Sequence, residues 1–580
     1  MEQEIKNLIK KSLKNLNIEA GDISLEHPVD LKMGDYSTNV AMALAKKEKT
    51  NPKELAEKIV NELKNLSSLP AKGEVGGGLI EKIEQANGFI NFYLSKEFFT
   101  ESIKEILENK NFANNDLFFG KKIMIEYTQP NPFKPFHIGH LMSNAIGESL
   151  SRIFEVSGAR VIRANYQGDV GPHVAKAIYG LQKFGMPNDS LSISAQAEYV
   201  GECYSKGSNL YDTDESAKKE IDIINKKIYD RSDEKINKIY DWGRKLTLEA
   251  FEELYKTLGT KFDKYYFESV MAKRGEKIVE KNISNLFEKS DGAVVFHAEK
   301  YDPKLHTRVF INSQGLPTYE TKELGLTMSK FKSGLFSKSL DMSIVTTAIE
   351  QGEYMKVVQK AISIMHPELE KKMKHITHGM MRLSTGKMSS RKGNVTTGES
   401  LIKDSKAEIL EKIKDRDFTG QEKENIASIV GIAALKYSIL KQAIGGDIVY
   451  DFDKSISFEG DSGPYLQYSY TRAKSILNKA EKEKVISSYV LPENWETTEV
   501  EKILYKFPEV VAYSMKEFEP HHIANYLIEL ARAFNGFYGN TQIVKMGDET
   551  SSYKVGLTEA FSLIMKEGLY LLGIKVPERM

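Results

Sequence analysis

Cysteine is nearly absent from this chain, since Cys203 is the only one among 580 residues. A lone cysteine excludes an internal disulfide and any zinc site built from cysteines, so we predict no protein-bound metal. No apolar run approaches the roughly 18 to 20 residues that a membrane helix needs. The N-terminal segment MEQEIKNLIKKSLKNL lacks the apolar block of a signal peptide. These absences predict a cytoplasmic protein that does not bind membranes.

An excess of charge of one sign is also missing, because 81 Lys and Arg side chains balance 81 Asp and Glu side chains. Proteins that bind the phosphate backbone of nucleic acids often carry excess positive charge, so composition alone does not indicate a nucleic-acid partner. Internal repeats and low-complexity tracts are absent as well. With 41% hydrophobic and 28% charged residues, the chain has the composition of a folded protein of three or four domains.

The pattern of helices and strands predicts four regions. Residues 1–115 combine amphipathic helices with the alternating segment IEKIEQANGFINFYLS and form an α+β domain. Residues 116–400 begin with a strand, KKIMIEYTQP, a helix and a second strand, RVIRANY, which is the opening of a parallel α/β sheet. A charged helical insertion interrupts this region at about 190–265. Residues 401–459 form a helical connector, and residues 460–580 form an all-α domain.

The first candidate site is the sequence His137-Ile138-Gly139-His140, which lies between the first predicted strand of the sheet and its helix. Helix amides and strand ends converge on the nucleotide at this place in α/β folds. The glycine lets an adenine approach the backbone, and two imidazoles can donate hydrogen bonds to a phosphate as charge develops. For an arbitrary protein, a helix cap with two incidental histidines is the better explanation of one tetrapeptide.

The second candidate site is Lys387-Met388-Ser389-Ser390, about 250 residues later in the glycine- and serine-containing loop 384–397. A loop that carries lysines suits the binding of ATP phosphates during an in-line displacement. A solvated basic loop is the alternative explanation if this segment is taken alone.

Together the two motifs resemble the HIGH and KMSKS pair of the class I aminoacyl-tRNA synthetases in order and separation. The resemblance implies a Rossmann-type catalytic domain that activates an amino acid with ATP, accompanied by Mg²⁺, and transfers it to the terminal ribose of tRNA. Of the ATP-site residues, the catalytic ones would be His137, His140 and Lys387. The implied ATP-binding residues are His137, Gly139, His140, Lys387, Met388, Ser389 and Ser390.

One departure from the family pattern points to a subfamily. Ser390 stands where KMSKS has its second lysine. Arginyl-tRNA synthetases that lack this lysine are thought to use another one, three residues before the first histidine of HIGH, and this chain has Lys134 there. We therefore count Lys134 as catalytic. The segments EYTQPNPFKPFHIGHL, MGDYSTNVAMALAK, DSGPYLQYSYTRAKSIL and LLGIKVPERM also resemble the arginyl enzymes, so the resemblance covers essentially the whole chain.

An arginine site must bind a planar, permanently charged guanidinium, which carboxylates in bidentate geometry do best. The resemblance implies Glu268, together with Tyr319 and Glu323, which an i, i+4 spacing places on one helix face. Relatives generally have aspartate in place of Glu323, so its contact is left open. An exposed helix carboxylate is the alternative explanation for each acid. The residues implied to hold the amino and carboxylate groups of the substrate are Glu126, Asn131 and Gln351.

Asp169 lies in the loop NYQGDVG near the same edge of the sheet. A turn aspartate explains it at least as well as a substrate contact does.

The implied partners are tRNA(Arg), L-arginine and ATP, bound by a monomer. Aromatic side chains that stack unpaired bases beside cations are how single-stranded RNA loops are recognised. Tyr465 and Tyr538 are the candidates for such contacts in the C-terminal domain, although Tyr at helical spacing is more often a core residue. The resemblance also implies that Phe89 and Asn91 contact the tRNA elbow.

The function predicted is arginine–tRNA ligation, in which ATP is converted to AMP and pyrophosphate. Two alternatives stay open. One is a class I synthetase for another amino acid, and the other is a catalytically silent relative that binds RNA. The presence of Lys134 and of both motifs argues against the second alternative, because a binding protein has no use for residues that hold ATP.

Overall fold

The computed structural model describes a chain that starts at residue 1 and ends at residue 580. The residues described are 1–19, 21–66, 78–109, 111–332, 340–384 and 397–580.

The N-terminal region is an antiparallel sheet covered by helices. Its elements are α1 (Glu2–Asn15), β1 (Tyr36–Thr38), α2 (Val40–Ala45), α3 (Pro52–Leu66), β2 (Ile80–Ala86), β3 (Phe89–Leu94) and α4 (Lys96–Glu108). The strand order is β1-β3-β2. Buried side chains such as Ile9 on α1 and Ile59 on α3 share one core with Phe92 of β3. Pro52 begins α3, a position that suits proline because the first turn of a helix does not need its N–H group.

The next region, residues 113–383, contains the parallel sheet. Its elements are β4 (Lys122–Glu126), α5 (Ile138–Val156), β5 (Arg160–Gln167), α6 (Pro172–Phe184), α7 (Ile193–Thr213), α8 (Glu215–Asp230), α9 (Glu234–Leu258), β6 (Lys264–Phe267), α10 (Glu268–Lys281), β7 (Glu288–Ser290), β8 (Ala293–Phe296), β9 (Arg308–Ile311), α11 (Tyr319–Lys332), β10 (Met342–Ala348), α12 (Gly352–Met365), β11 (Met373–His378) and β12 (Met381–Leu383).

Five of these strands form one parallel sheet in the order β11-β10-β4-β5-β6. The central strand β4 is apolar, with Ile123, Met124 and Ile125 fully buried, as expected for a strand covered on both faces. The chain leaves β4 towards β5 on one side and later returns to β10 on the other side. Ligands in such sheets bind beyond the carboxyl ends of the strands, where the strand order reverses. The sheet therefore predicts a binding site beyond the last residue of β4, Glu126.

The region predicted as a charged helical insertion contains helices α7, α8 and α9, and its buried faces share a core with α6 that includes Cys203. Helix α9 ends at Leu258 and strand β6 begins at Lys264, close to the predicted end of the insertion at about residue 265. The strand β11 was not predicted. Strand β6 has only four residues and directly precedes helix α10.

The C-terminal part is almost entirely helical, as predicted, with one short strand. Its elements are α13 (Gly398–Lys412), α14 (Gly420–Leu440), β13 (Ile448–Tyr450), α15 (Phe452–Ser455), α16 (Gly463–Lys482), α17 (Glu499–Leu504), α18 (Phe507–Glu517), α19 (His521–Asn540) and α20 (Ser551–Leu571). Within the described residues, no helix is both long and apolar enough to cross a membrane.

The chain forms two compact units. One contains residues 1–112, 472–507 and 529–565, and the other contains residues 113–471, 508–528 and 566–580. The parallel sheet lies in the second unit.

Helices α10 and α11 pack against each other through two glycines. A Cβ atom at Gly275 would lie 1.9 Å from the carbonyl oxygen of Thr321, and one at Gly325 would lie 2.3 Å from that of Met271. Such contacts between a Cβ atom and backbone cannot form without moving a helix. The two glycines therefore set the spacing of the helices that carry Glu268 and Glu323.

We expect Gly275→Ala to separate α10 from α11 and to cost about 1–3 kcal/mol through overpacking. The measurement is the midpoint of thermal unfolding. The control is Gly536→Ala in α19, where nothing lies within 4 Å of the added atom and alanine favours a helix over glycine by about 1 kcal/mol. An unchanged midpoint in the Gly275 variant would show that the two helices are not held at this distance.

Candidate active site

The connection between β4 and α5 carries the first motif and has an unusual backbone. Three residues other than glycine have left-handed conformations, namely Thr128 (φ 75°), Gln129 (φ 53°) and Phe133 (φ 67°). Such conformations cost about 1–3 kcal/mol each and persist only where the surroundings hold them. The backbone N–H of Thr128 donates to Oγ of Ser143 at 3.0 Å, and its Oγ1 accepts from Nδ2 of Asn144 at 3.0 Å.

Phe133 is held in the same connection by helix α9. Its N–H donates to Oγ1 of Thr247 at 3.4 Å. A Cβ atom at Gly243 of α9 would lie 2.3 Å from Cε1 of the Phe133 ring. The glycine therefore leaves the space that this ring fills. The insertion thus fixes the residues that lead into the dihistidine turn.

His137 and His140 stack at the start of α5. Their ring centroids are 3.5 Å apart, and the backbone N–H of His137 donates to Nδ1 of His140 at 3.2 Å. Because that Nδ1 accepts, the proton of a neutral His140 is on Nε2, which remains available as a donor. A Cβ atom at Gly139 would lie 3.1 Å from the His137 ring, so this position has no room for a side chain unless the ring moves.

Both imidazoles are neutral at physiological pH. Burial holds the pKa of His140 well below its usual range, and His137 and Lys134 add to this effect. His137 is exposed, but partial desolvation, with Lys134 and His378 nearby, lowers its pKa to about 4. The two residues can therefore act as neutral hydrogen-bond donors and not as cations.

The predicted KMSS residues, Lys387, Met388, Ser389 and Ser390, lie outside the described residues. The chain that follows them is beside the dihistidine turn. Gly398 N–H donates to the carbonyl of Phe136 at 2.8 Å, and Thr397 forms an antiparallel bridge with His137.

His378 is a candidate that the sequence reasoning missed. It ends β11, is 2% exposed, and lies near enough to the dihistidine turn to affect the pKa of His137 and His140. Its Nδ1 is 2.8 Å from the carbonyl oxygen of Gly379, while its Nε2 has no hydrogen-bond partner among the described residues. A histidine at the end of the strand-like segment KHITH is the signal that could have identified it.

Glu268 and Asn131 converge on Gly168, which follows β5. Asn131 Oδ1 accepts a hydrogen bond from the N–H of Gly168 at 3.0 Å. A Cβ atom on Gly168 would lie 2.5 Å from this Oδ1 and 3.2 Å from Cδ of Glu268. Only a residue without a side chain allows these two groups to approach each other.

Glu268 is the first residue of α10 and is 7% exposed. Its Oε2 is 2.7 Å from Nζ of Lys322 on α11. Burial raises the pKa of Glu268, while Lys322 and, more weakly, Lys134 act to lower it. Lys134 is half-buried, with Nζ 5.3 Å from the ring centroid of Tyr204 on α7. The predicted acid is thus buried among cations, and the alternative of an exposed helix carboxylate does not describe it.

Asp169 holds the start of α10 in place. It is fully buried and accepts hydrogen bonds from N–H and Oγ of Ser269 at 2.9 and 2.8 Å, and from Nε of Arg244 at 2.9 Å. These bonds cap the helix whose first residue is Glu268. Arg244 belongs to α9, so the insertion also braces this side of the site.

Three further buried charges lie at the end of β4. Glu126 Oε2 is 2.5 Å from Nζ of Lys330, and its Oε1 accepts from Gln129 at 2.6 Å. Glu323 Oε1 accepts from Oγ1 of Thr327 at 3.0 Å. Burial, opposed by Lys330, raises the pKa of Glu323 to about 7. The protonated form of Glu323 is therefore favoured more than in an exposed glutamate.

The remaining arginine-site candidates are at the surface. Tyr319, the first residue of α11, is 63% exposed, whereas Glu323 one turn later is 4% exposed. Gln351 is exposed in a short 3₁₀ turn just after β10, at the predicted edge of the sheet.

The predicted tRNA contacts differ in accessibility. Tyr538 is 43% exposed, with its ring centroid 5.0 Å from Cζ of Arg472. Tyr465 and Phe89 are half-buried. Asn91 is 2% exposed, and its Oδ1 accepts a hydrogen bond from Ser37 at 2.8 Å.

Comparisons with known proteins cover the whole chain. A family model described as "Arginyl tRNA synthetase N terminal domain" matches residues 3–94, and one described as "DALR anticodon binding domain" matches residues 466–580. The arginine–tRNA ligase of Clostridium perfringens is 30% identical over 100% of both chains, and that of Clostridium kluyveri is 31% identical over 98% of both. The structure of Thermus thermophilus arginyl-tRNA synthetase shares the fold, with a TM-score of 0.79 at 22% identity and 100% of both chains covered.

The catalytic region matches a model described as "tRNA synthetases class I (R), catalytic domain" over residues 102–452. A parallel sheet with a dihistidine turn after its central strand is the arrangement of a class I aminoacyl-tRNA synthetase, so the predicted fold class is confirmed. Since relatives at 30% identity or more match over the full length, the chain belongs to the arginyl-tRNA synthetase family.

The pKa of His137 predicts a loss of stability in acid. A histidine in the unfolded chain takes up a proton at a pKa of about 6.5, whereas His137 in the folded protein does so at about 4. The unfolded state binds more protons between these values, so stability is lost as the pH falls through this window. We expect the thermal midpoint to fall from pH 7 to pH 5, and to fall less in His137→Asn. The same fall in both proteins would contradict this cause.

Replacing Asp169 tests whether it positions Glu268. Asp169→Asn removes the charge that binds Arg244 and Ser269, and we expect the KM for arginine to rise about tenfold, equivalent to about 1.4 kcal/mol. The KM for ATP should change little, because the side-chain bonds of Asp169 go to residues of α9 and α10. Asp230→Asn, at an exposed position on the insertion, is the control. Equal increases in both KM values would indicate a general loss of structure.

Proposed function

We infer that this chain joins L-arginine to tRNA(Arg) in two steps. The carboxylate of arginine attacks the α-phosphate of ATP, which gives arginyl-adenylate and releases pyrophosphate. A ribose hydroxyl of the 3′-terminal adenosine of tRNA then attacks the activated carbonyl carbon and releases AMP. The observation that carries this inference is the placement of a buried acid, Glu268, beside the loop that joins the central strand to the dihistidine turn.

We propose that neutral hydrogen-bond donors and lysines together stabilise the negative charge that develops on the α-phosphate. Nε2–H of His140 and the His137 ring would donate hydrogen bonds to the α-phosphate, and Lys134 and Lys387 would supply positive charge as negative charge develops. Gly139 would leave room for the adenine, and the segment Met388 to Ser390 would complete the ATP site. Positioning and electrostatics provide the rate, without a covalent enzyme intermediate.

Mg²⁺ would enter with ATP and neutralise charge on the leaving pyrophosphate. Within the described ranges, no group of three or more His, Cys, Asp or Glu side chains is placed to hold a metal. Phosphate oxygens and water would therefore be its main ligands, as Mg²⁺ prefers.

The arginine substrate would lie across the carboxyl edge of the sheet. We propose that Glu268 binds the guanidinium, with Tyr319 and Glu323 at its sides. Burial of Glu268 supports this role, because a desolvated carboxylate gains most from a paired cation that binds through two hydrogen bonds. The residues proposed to hold the amino and carboxylate groups of the substrate are Glu126, Asn131 and Gln351.

The tRNA would be bound outside this site. We propose that Phe89 and Asn91 contact the elbow and that Tyr465 and Tyr538 contact the anticodon loop. The position of Tyr538 beside Arg472 supports the last assignment, since an exposed ring beside a cation can stack a base. We further propose a cytoplasmic monomer, with the domain limits given by the sequence pattern.

Glu268→Gln tests the assignment of the guanidinium site. Removing one partner of a buried charge pair costs about 2–5 kcal/mol, so kcat/KM for arginine should fall by roughly 30-fold to several thousand-fold. The measurement is charging of total tRNA with tritiated arginine, with lysine and citrulline as competitors.

Glu280→Gln, an exposed position on the same helix, is the matched control and should charge tRNA normally. Intact arginine turnover in Glu268→Gln would show that another residue binds the guanidinium. A wild-type protein that charges no tRNA with arginine would favour the silent RNA-binding alternative.

A further inference from the structure

Gly168, in the turn after β5, is held by a side chain on each side. Its N–H donates to Oδ1 of Asn131 at 3.0 Å. Its carbonyl oxygen accepts a hydrogen bond from Nε2 of His173, the second residue of α6, at 2.8 Å. A glycine backbone can adopt many conformations, so its own chemistry does not fix the orientation of the two peptide groups. The two side-chain bonds therefore define this turn.

His173 is a neutral donor at every physiological pH. A carbonyl oxygen can only accept a hydrogen bond, so the proton of the neutral ring is on Nε2. Burial, together with Lys134 and more weakly Lys322, lowers the pKa of His173 to about 3. The ring therefore adds a hydrogen-bond donor to the site without adding a further cation.

Helix α6 gives the His173 ring a fixed base. A Cβ atom at Gly180 of α6 would lie 2.3 Å from the carbonyl oxygen of Cys203 on α7. The two helices are thus in backbone contact, and neither can shift alone in a close-packed interior. The half-buried ring of His173 reaches Gly168 from this rigid pair of helices.

The bond to Gly168 also sets the orientation of the Asn131 amide. A backbone N–H needs the oxygen of that amide, so the amide nitrogen must point the other way. Asn131 is half-buried, and its Nδ2 makes no hydrogen bond within the part of the chain that the structure describes. Asn131 therefore offers two N–H donors to a ligand, an arrangement that suits a carboxylate and does not suit an ammonium.

We propose that His173 is a positioning residue that directs the Asn131 amide towards the carboxylate of the substrate, an inference that rests on the proposed arginine site. The His173 ring fixes the carbonyl of Gly168, and the turn then presents its N–H to the oxygen of Asn131. Without the donor on His173, the turn can rotate and release the amide. Glu268 would keep its place, because Asp169 holds the start of α10 through separate bonds.

The test compares two ligands that differ in one group. Agmatine carries the guanidinium and the carbon chain of arginine but lacks the carboxylate, so it cannot use the donors of Asn131. In equilibrium binding to the full chain, we expect His173→Phe to weaken arginine by roughly 3- to 10-fold, the equivalent of one net hydrogen bond, and agmatine by less than about twofold. His173→Leu, which also lacks a donor, should behave in the same way. His173→Gln, whose amide N–H can replace Nε2–H, should restore arginine binding.

Two further variants complete the experiment. Asn131→Ala should weaken arginine and spare agmatine, and adding His173→Phe to it should have little further effect, because the two residues act as one unit. His366→Phe, at a half-buried position after α12, is the matched control and should change neither affinity.

Each other result overturns the inference. If the variants that lack a donor weaken arginine and agmatine equally, His173 supports the fold of the whole site. If neither affinity changes, or if His173→Gln is as weak as His173→Phe, the bond to Gly168 does not direct the amide. A wild type that binds agmatine as tightly as arginine does not recognise the carboxylate through Asn131. A wild type that binds neither ligand contradicts the proposed function as well.

Discussion

A charged substrate can be selected only by charges taken out of water, and the cost of burying those charges shapes this molecule. Four acids at the carboxyl edge of the sheet are nearly or fully buried, and three of them have a cation within 3 Å. Unpaired, any of them would take up a proton or destabilise the fold. These cations come from α9 and α11, so the helices beside the sheet are needed for the electrostatics of the site as well as for packing. The three pairs are Glu126–Lys330, Glu268–Lys322 and Asp169–Arg244.

The helical insertion illustrates this dependence. Its sequence is charged, but several of its side chains reach the candidate site. Arg244 of α9 binds Asp169, Thr247 holds Phe133, and Tyr229 of α8 lies beside Lys322. The insertion is therefore one wall of the candidate site, and its position controls where Glu268 and the dihistidine turn lie.

Much of the architecture could be predicted from the sequence, because strands with continuous apolar runs and helices with amphipathic spacing are local signals. The dihistidine turn, Glu126, Asn131 and Glu268 lie in short motifs, and the structure places all of them at the carboxyl edge of the sheet. The cations that neutralise the acids could not be predicted. Lys322 is 54 residues from Glu268 along the chain, and nothing local distinguishes it from other helix lysines.

Two other features escaped prediction for related reasons. His378 reaches the site because β11 pairs in parallel with β10 at the edge of the sheet. The segment KHITH indicates a strand, but it does not indicate which strand it pairs with. The contrast between exposed Tyr319 and buried Glu323 depends on where α11 begins relative to α10, which a spacing of four residues does not reveal.

The left-handed residues between β4 and α5 have a consequence for how the protein tolerates change. Thr128, Gln129 and Phe133 hold conformations that their own chemistry disfavours, and bonds from α5 and α9 keep them there. A substitution in either scaffold helix can therefore release the segment although it lies outside the site. Conversely, the segment can adopt few other conformations while both helices are intact. Neutral substitutions in this part of the chain should therefore occur in pairs that involve the segment and α5 or α9.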